Sequence, residues 1–420
     1  MALKFEYFTD EHNLTDNVVK EKLNDFHGII NDPKTQFYNT FKREELIAST
    51  IEAYNHFGAK KYFIHVGIGG SSLGPEMLIS ALGKTSTKFL FINNIDPEEI
   101  HEQLKSLLNV NLEDCLFYFV SKSGGTAETL AALAIISQFL ELRSVAPADF
   151  NKYMIFATDP KKSELLELSK KFNIKTLEVP SDVGGRFSVL TPVGFFPALY
   201  AGLNLDLLYK GALDTHHALL ANSTQNPLVK CAELINKSYH KGINHTVMMP
   251  YSSKLKNFSF WFNQLWAESL GKKLNKKGKV VNVGLTPIAS YGATDQHSIV
   301  QLFMEGPNDK LFFIIEVENF ARNFNLTSSL TSPGLEKLAG FTLADLMEAE
   351  MQGTIKALVE NNRQVIKLSI TKNDEYHLAS LVLFFESLTA LMGTYLEIDP
   401  FDQPGVEAGK IYAFEYLNQL

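Results

Sequence analysis

The chain has 420 residues, of which 45% are hydrophobic and 20% are charged, a composition typical of a globular protein. At roughly 100–200 residues per domain, this length predicts two or three domains. The net charge of −8 argues against a nucleic-acid-binding protein, because such proteins usually carry a basic face. Cys115 and Cys231 form no CxxC pair, so the sequence predicts neither a zinc knuckle nor a disulfide scaffold.

The N-terminal region, residues 1–54, has a helical pattern and lacks the apolar core of a signal peptide. We expect it to pack on the first domain. The most apolar stretch of the chain, 378–393, is interrupted by Glu386 and is shorter than the ~20 residues that a membrane span needs. It therefore predicts a buried helix, and we expect a cytoplasmic protein with no membrane partner.

Four short apolar runs follow residue 54, and each ends in a turn rich in glycine, serine, asparagine or aspartate. They cover residues 62–66, 89–93, 116–120 and 153–157. Runs that are apolar at nearly every position are typical of strands that helices cover on both faces. Because these strands alternate with helical stretches, they predict a parallel, doubly wound sheet.

The same pattern restarts after a polar, helical stretch, with predicted strands at 245–249, 280–283, 311–317 and 365–370. We therefore predict an α/β fold built from two doubly wound parallel-sheet domains. The predicted parts are a helical N-terminal extension (1–54), a first domain (55–203), a helical connection (204–241), a second domain (242–385) and a helical C-terminal arm (386–420).

Two glycine-containing turns in the first half imitate nucleotide-binding motifs. The turn at 67–75 begins as Gly-x-Gly and has Asp96 as a candidate ribose ligand, but Ser72 stands where a dinucleotide fold needs its third glycine. Gly83-Lys84-Thr85 imitates the end of a P-loop, but Leu78 stands where its first glycine is required. We therefore predict no nucleotide cofactor.

The turn at 121–129 has the chemistry of an anion site. It places the hydroxyls of Ser121, Ser123 and Thr126 at the start of a predicted helix. Free N–H groups and the helix dipole at such a point favour a phosphate. The alternative is that these residues only cap the helix. One cap needs one hydroxyl, so three hydroxyls with two glycines favour phosphate binding.

Two long stretches, 181–194 and 393–410, resemble the signatures of the glucose-6-phosphate isomerase (phosphoglucose isomerase) family, short bacterial type. The turns at 67–75 and 121–129 resemble the two sugar-phosphate loops of that family. The resemblance spans about residues 60–410. It implies two sugar isomerase (SIS) domains of the flavodoxin-like kind, assembled as a homodimer. It also implies reversible conversion of glucose 6-phosphate to fructose 6-phosphate, a step of glycolysis and gluconeogenesis, without a cofactor or metal.

The resemblance assigns catalytic roles to four residues. Glu268 would move a proton between neighbouring carbons as general base and then acid. His297, reaching the site from the partner subunit, would open the sugar ring with the help of Lys410. Arg186 would stabilise the enediolate with a charge that is fixed at any working pH. From the sequence alone, an ion pair between Arg186 and an acid such as Asp182 remains an alternative.

Further residues are implied as substrate ligands or as supports. The implied substrate ligands are Gly70, Ser71, Ser121, Lys122, Ser123, Thr126 and Gln403. Glu128, which would orient Lys410, and Gln296 are implied as supporting residues. Pro404 and Gly405 predict a turn that could bring Gln403 and Lys410 toward one pocket.

Three rival functions remain open at this stage. A phosphomannose or bifunctional phosphoglucose/phosphomannose isomerase would share the phosphate loop. A non-catalytic sugar-phosphate sensor would keep that loop and lose the base, whereas this chain retains Glu268. A nicotinamide dehydrogenase would rest on the Gly-x-Gly fragment alone. The two long signatures favour the glucose enzyme.

Overall fold

The computed structural model describes residues 2–8 and 14–420, and the secondary structure of these residues alternates between strands and helices. The strands are β1 (Leu3–Phe8), β2 (Tyr62–Val66), β3 (Lys88–Ile92), β4 (Cys115–Val120), β5 (Met154–Thr158), β6 (Lys175–Glu178), β7 (His245–Pro250), β8 (Lys272–Leu274), β9 (Val280–Val283), β10 (Thr286–Ala289), β11 (Lys310–Asn319) and β12 (Gln364–Lys372). The α-helices are α1 (Asp16–Ile30), α2 (Glu44–Phe57), α3 (Leu73–Leu82), α4 (Pro97–Lys105), α5 (Ala127–Leu142), α6 (Glu164–Phe172), α7 (Pro192–Tyr200), α8 (Leu205–Leu219), α9 (Pro227–His240), α10 (Lys256–Leu270), α11 (Val300–Glu305), α12 (Pro333–Leu338), α13 (Leu343–Glu360), α14 (Glu375–Tyr395) and α15 (Glu407–Leu417).

The first sheet contains five parallel strands in the order β3-β2-β4-β5-β6. Counted along the chain, this is the 2-1-3-4-5 order of flavodoxin-like folds. Successive residues of β4 belong to two separate apolar clusters, with Phe117 and Phe119 on one face and Leu116 and Tyr118 on the other. Helices therefore cover both faces, and the predicted doubly wound α/β fold is confirmed.

The second sheet has the order β1-β12-β11-β7-β10, in which β7, β10, β11 and β12 are parallel. These four strands repeat the first part of the flavodoxin-like order. The fifth place is taken by β1, which runs antiparallel to β12 with Leu3 opposite Ile370. The second domain is thus completed by the N-terminal strand of the chain.

Two sequence predictions need correction here. Residues 3–8 form a strand of the second sheet and not part of a helical extension, because Leu3, Phe5 and Tyr7 alternate with the exposed Lys4 and Glu6 in the period of a half-buried strand. The predicted strand at 280–283 forms, but it pairs with β8 in a separate hairpin, and β10 takes its place in the sheet.

The helical connection contains α8 and α9, and the long helix α14 packs against both. The predicted boundary between residues 385 and 386 falls inside α14, so that boundary does not separate two structural elements. By length and composition α14 could cross a membrane, but 89% of its most apolar window is buried inside the fold. It occupies the position of a core helix, as its sequence predicted.

Two segments carry apolar side chains that the rest of the chain does not cover. Every residue of the C-terminal tail, 402–420, is exposed, including Ile411, Tyr412 and Phe414 of α15. The excursion 321–341, between β11 and α13, is also almost entirely exposed and includes Phe324 and Leu330.

The crossing of α8 and α14 supplies a test of the packing. A Cβ atom added to Gly211 would lie 2.0 Å from the carbonyl oxygen of Tyr376. We expect Gly211→Ala to lower the free energy of unfolding by about 1–3 kcal/mol, because the two backbones must separate. Chemical denaturation followed by circular dichroism measures this change.

The matched control is Gly353→Ala in α13, where an added Cβ would meet no atom within 4 Å. This change should raise stability by about 0.5–1 kcal/mol, since alanine loses less conformational entropy in a helix. Equal stability of the Gly211→Ala protein and the native protein would contradict the close approach of α8 and α14.

Candidate functional site

Two loops adjoin at the point where the order of the first sheet reverses. The first loop, residues 67–72, follows β2, and the second loop, residues 121–126, follows β4. Because the helices after β2 and β4 lie on opposite faces of such a sheet, a crevice opens between these loops, and ligands bind there in this fold. A Cβ atom added to Gly67 would lie 3.1 Å from the carbonyl oxygen of Val120, so the first loop begins beside the end of β4.

The second loop gathers the three predicted hydroxyls. Ser121 Oγ lies 2.8 Å from Thr126 Oγ1, and Ser123 Oγ lies 3.5 Å from the same atom. Thr126 occupies the N-cap position of α5, but its side chain caps none of the helix N–H groups. The capping alternative therefore fails for Thr126, and the start of this 16-residue helix keeps the N–H groups and the dipole that favour an anion.

Lys122 directs its ammonium away from the anion site. Its Nζ donates hydrogen bonds of 2.8 Å to the carbonyl oxygens of Ser181 and Val183. Burial lowers the pKa of Lys122 below its ordinary value. The side chain thus connects the second loop to the segment that leads into Arg186, and the role of Lys122 as a substrate ligand stays a prediction.

Arg186 is buried and uses all five of its N–H groups. Its Nε donates to Ser269 Oγ (2.6 Å), and Nη1 donates to Glu268 Oε1 (3.0 Å) and Gln403 Oε1 (2.9 Å). Its Nη2 donates to the carbonyl oxygens of residues 400 (2.6 Å) and 402 (3.1 Å). The acid that it pairs with is therefore Glu268.

Asp182, the alternative partner of Arg186, lies elsewhere. Its carboxylate pairs with Arg43 at 2.6 Å, and its carbonyl accepts the N–H of Gln36 at 2.9 Å. The segment before Arg186 is consequently held from one side by the N-terminal helices and from the other side by Lys122.

Glu268 lies in the last turn of α10, with its side chain 23% exposed. Oε1 accepts from Arg186, and Oε2 accepts from Gln264 Nε2 at 2.9 Å. Lys272 Nζ donates to the carbonyls of Glu268 and Ser269, each at 2.8 Å, and so satisfies the end of the helix. The carboxylate is therefore oriented by two neighbours while part of it stays accessible.

The first loop lies directly against this pair. A Cβ atom on Gly70 would approach the carbonyl carbon of Gly185 to 2.3 Å, so only glycine permits the contact. The neighbouring Gly69 would place a Cβ 3.0 Å from Gln264 Nε2. The Ser71 hydroxyl is half-buried and forms no hydrogen bond to the residues at 2–8 and 14–420. It is therefore available to a ligand.

Four predicted residues lie outside this group. Lys410 is exposed and pairs with Glu407 at 2.9 Å, and the half-buried Glu128 forms no ion pair with it. His297 is exposed and forms no hydrogen bond or ion pair to any described residue. Gln296 holds the turn before His297, since its Nε2 donates to Tyr251 Oη (2.8 Å) and Thr354 Oγ1 (2.7 Å).

Three residues of the site were missed by sequence reasoning: Gln264, Ser269 and Lys272. Gln264 precedes Glu268 by four positions on a predicted helix, and side chains at that spacing meet on one face. This spacing could have predicted that Gln264 contacts Glu268. The contacts of Ser269 and Lys272 depend on how α10 ends, which the sequence pattern did not define.

The second sheet has an equivalent crevice, and its lining is acidic. Where its strand order reverses, between β7 and β11, a small cavity of about 100 Å³ is lined by Glu316, Glu318, Asp345 and Glu348, among other residues. Glu316 is itself paired with the buried Lys367 at 3.1 Å. Acidic side chains repel a phosphate, so this crevice does not offer an anion site. Within the described parts of the chain, no group of His, Cys, Asp or Glu side chains is arranged to hold a metal ion.

Comparisons with known proteins agree with the geometry. The profile of the phosphoglucose isomerase family matches residues 42–420. The chain is 38% identical over 397 residues to a glucose-6-phosphate isomerase of Carboxydothermus hydrogenoformans, covering 91% of this chain and 84% of that protein. It is also similar to the crystal structure of a hypothetical protein from Thermus thermophilus, with a TM-score of 0.87, 32% identity, and coverage of 96% of this chain and 95% of that one.

A more distant structure shares the fold. The crystal structure of a glucose-6-phosphate isomerase from Chlamydia trachomatis aligns with a TM-score of 0.82 at 20% identity, over 99% of this chain and 88% of that chain. The profile match and the 38% identical relative confirm the resemblance seen in the sequence, and the chain belongs to the phosphoglucose isomerase family.

Proposed function

We propose that this protein interconverts glucose 6-phosphate and fructose 6-phosphate. The observation that supports the proposal best is the Arg186–Glu268 pair, which lies against the first loop at the crevice of the first sheet. A base beside a fixed cation, next to an anion site, is the equipment that aldose–ketose isomerisation of a phosphorylated sugar requires. Relatives named glucose-6-phosphate isomerase support the same reaction.

The phosphate of the sugar binds between the two loops. The hydroxyls of Ser121, Ser123 and Thr126 and the N-terminus of α5 supply hydrogen bonds and a favourable dipole. Gly70 and Ser71 supply the opposite side of the site. Hydroxyl and backbone donors hold the phosphate without adding a cation that competes for the substrate proton.

Glu268 carries the proton between the two carbons. In the open-chain aldose it removes the proton from C2, and the electron pair of that bond forms the C1–C2 double bond of an enediolate. The protonated Glu268 then returns the proton to C1. The C2 hydroxyl passes its proton to the C1 oxygen, so the C2 oxygen becomes the ketone carbonyl and the C1 oxygen becomes a hydroxyl. One carboxyl group serves both steps, so atoms and charge balance without a redox partner.

Arg186 stabilises the charge of the enediolate from beside the base. Its five N–H groups are occupied in the free protein, and two of the partners are backbone carbonyls. The Gln403 side chain is the partner that can be exchanged. A substrate oxygen that takes the place of Gln403 Oε1 receives the hydrogen bond in a water-poor setting, where it is strongest.

Ring opening uses groups that lie outside the site of a single chain. We propose a homodimer in which His297 of the partner subunit reaches the crevice and acts with Lys410. The exposed His297 supports this proposal, because no described residue of its own chain engages it. The uncovered apolar residues of the C-terminal tail and of the excursion 321–341 also support a partner chain, since large exposed apolar patches mark interaction surfaces.

Fructose 6-phosphate in chelator-containing buffer tests the reaction. Glucose 6-phosphate formed by the purified protein is followed through a coupled dehydrogenase, and we expect rapid turnover that the chelator does not reduce. Mannose 6-phosphate, assayed alone, tests the epimer-tolerant alternative. A folded protein that binds fructose 6-phosphate without converting it is a sensor, and this result would reject the proposal.

Glu268→Gln tests the base. The amide keeps the shape of the side chain but cannot accept the proton, so kcat should fall by about 10²–10⁴-fold while substrate still binds. Turnover and binding calorimetry measure the two effects separately. Glu141→Gln, in the last turn of α5, is the control and should behave like the native protein. Near-normal turnover in Glu268→Gln would exclude this residue as the base.

Lys122→Met tests whether Lys122 holds the Arg186 segment. Methionine keeps the length of the side chain but donates to neither carbonyl, so we expect kcat to fall about 10-fold, the cost of one to two lost hydrogen bonds, with little change in KM. Lys161→Met, an exposed lysine in a neighbouring loop, is the control. A raised KM with unchanged kcat would instead show that the ammonium binds the phosphate, as the resemblance predicts.

Mixing two inactive variants tests the shared site. His297→Leu and Glu268→Gln are unfolded together and refolded, so that hybrid dimers form. If His297 acts across the interface, each hybrid has one intact site, and about a quarter of native activity should return in a random mixture. Refolded hybrids that remain inactive would place His297 and Glu268 in the site of one chain.

A further inference from the structure

His65 is a buried histidine that no part of the proposed mechanism uses. It lies in β2, two residues before the first loop, and its side chain is fully buried. The ring centroid lies 5.3 Å from the rings of both Phe91 and Tyr118, on the strands to either side. An apolar aromatic residue would suit these surroundings better than an imidazole with two polar atoms.

One ring nitrogen of His65 binds the first loop. Nε2 lies 2.6 Å from the carbonyl oxygen of Ser71. A carbonyl oxygen can only accept, so Nε2 carries the proton and donates it. Nδ1 is then the bare acceptor, and it is buried with no partner in the described chain. An unpaired buried acceptor costs about 1–3 kcal/mol of stability. The protein tolerates this cost at a residue whose one side-chain hydrogen bond goes to the first loop.

His65 stays neutral in the working pH range, and this keeps its hydrogen bond to the Ser71 carbonyl unchanged. Burial lowers the pKa of His65 to about 4, and no charged side chain contributes to that shift. The imidazole therefore stays neutral at physiological pH, with its proton fixed on Nε2 by the carbonyl. It does not act as an acid or a base in this range.

The next residue of the loop is held in a similar way. Ser72 Oγ donates to Glu76 Oε1 at 2.5 Å, and Asn93 at the end of the neighbouring strand donates to the same oxygen. The Ser71 carbonyl and the Ser72 hydroxyl are thus both bound to the scaffold. The Ser71 hydroxyl between them has no partner among the described residues and remains free for a ligand.

We propose that His65 is a positioning residue for the phosphate site: its hydrogen bond to the Ser71 carbonyl fixes the first loop so that the Ser71 hydroxyl and the adjacent N–H groups face the anion. This inference rests on the proposed function for the identity of the ligand, a phosphorylated sugar. It concerns a residue that touches neither the substrate nor the reacting atoms.

The test compares His65→Leu with His65→Gln. Leucine removes the donor, so we expect KM for fructose 6-phosphate to rise about 10-fold, with kcat within about threefold of native. Glutamine offers an amide N–H near the position of Nε2 and should restore KM to within about threefold. The pH profile of kcat/KM should keep its shape in both variants, because His65 does not titrate in the working range.

Phe63→Leu is the matched control, since Phe63 lies on the same face of β2 and is equally buried but does not contact the first loop. It should lower the melting temperature without raising KM. An equal KM in His65→Leu and Phe63→Leu would reduce His65 to a packing role and overturn the proposal. Loss of an ionisation from the pH profile of His65→Gln would overturn it as well.

Calorimetry with inorganic phosphate separates this proposal from the proposed function. The His65→Leu variant should bind phosphate about 10-fold more weakly than native protein, whether or not fructose 6-phosphate is converted. If native protein binds phosphate but converts no sugar, the proposed isomerase activity is rejected. The phosphate affinities of the native and His65→Leu proteins then decide the role of His65. Unchanged phosphate affinity in His65→Leu would reject the positioning role.

Discussion

The buried guanidinium of Arg186 needs a partner for each of its N–H groups, because an uncompensated charge in a protein interior is costly. The partners come from two distant parts of the chain: the end of α10 and the segment 400–403 that follows α14. Satisfying one side chain therefore fixes the relative position of elements from both halves. The accessible carboxylate of Glu268 is held in place by the same requirement, so the stability of the core and the geometry of the site depend on one set of hydrogen bonds.

Three buried or half-buried side chains near Arg186 and Glu268 donate hydrogen bonds to backbone carbonyls and so hold the neighbouring loops. Lys122 and Lys272 each direct an ammonium at two backbone carbonyls, and His65 directs its N–H at a carbonyl of the first loop. At the ends of strands and helices, some backbone carbonyls have no partner in the regular hydrogen bonds of the sheet or helix. A buried donor that satisfies them makes the loop rigid before any ligand arrives, which lowers the entropy lost on binding.

The sequence predicted best the features that depend on local pattern. The continuous apolar runs indicated the central strands of both sheets, because a strand buried on both faces needs apolar residues at nearly every position. The hydroxyl-rich turn indicated the second loop, because free N–H groups at a helix start favour an anion. The place of β1 could not be predicted in this way. Its alternation of apolar and polar residues marks a strand, but pairing with β12 spans the whole chain. For the same reason the pattern at 280–283 indicated a strand and could not say which sheet it joins.

The residues that the proposal assigns to catalysis fall into two groups. Glu268 and Arg186 form an ion pair within one chain at the end of α10. The side chains of His297 and Lys410 are exposed, and among the described residues neither bonds to Arg186 or Glu268. The motif alone did not indicate the contacts of the Lys122 side chain, which binds two carbonyls of the segment before Arg186.

The two halves of the chain repeat one strand order, and each has a crevice where that order reverses. In the second half the crevice is narrow and acidic, and its Glu316 is already neutralised by a lysine from the neighbouring strand. A repeated topology has therefore not produced a repeated binding site. The crevice of the first half is therefore the one that the proposal assigns to the sugar phosphate, and the second half adds Glu268 of α10 beside it.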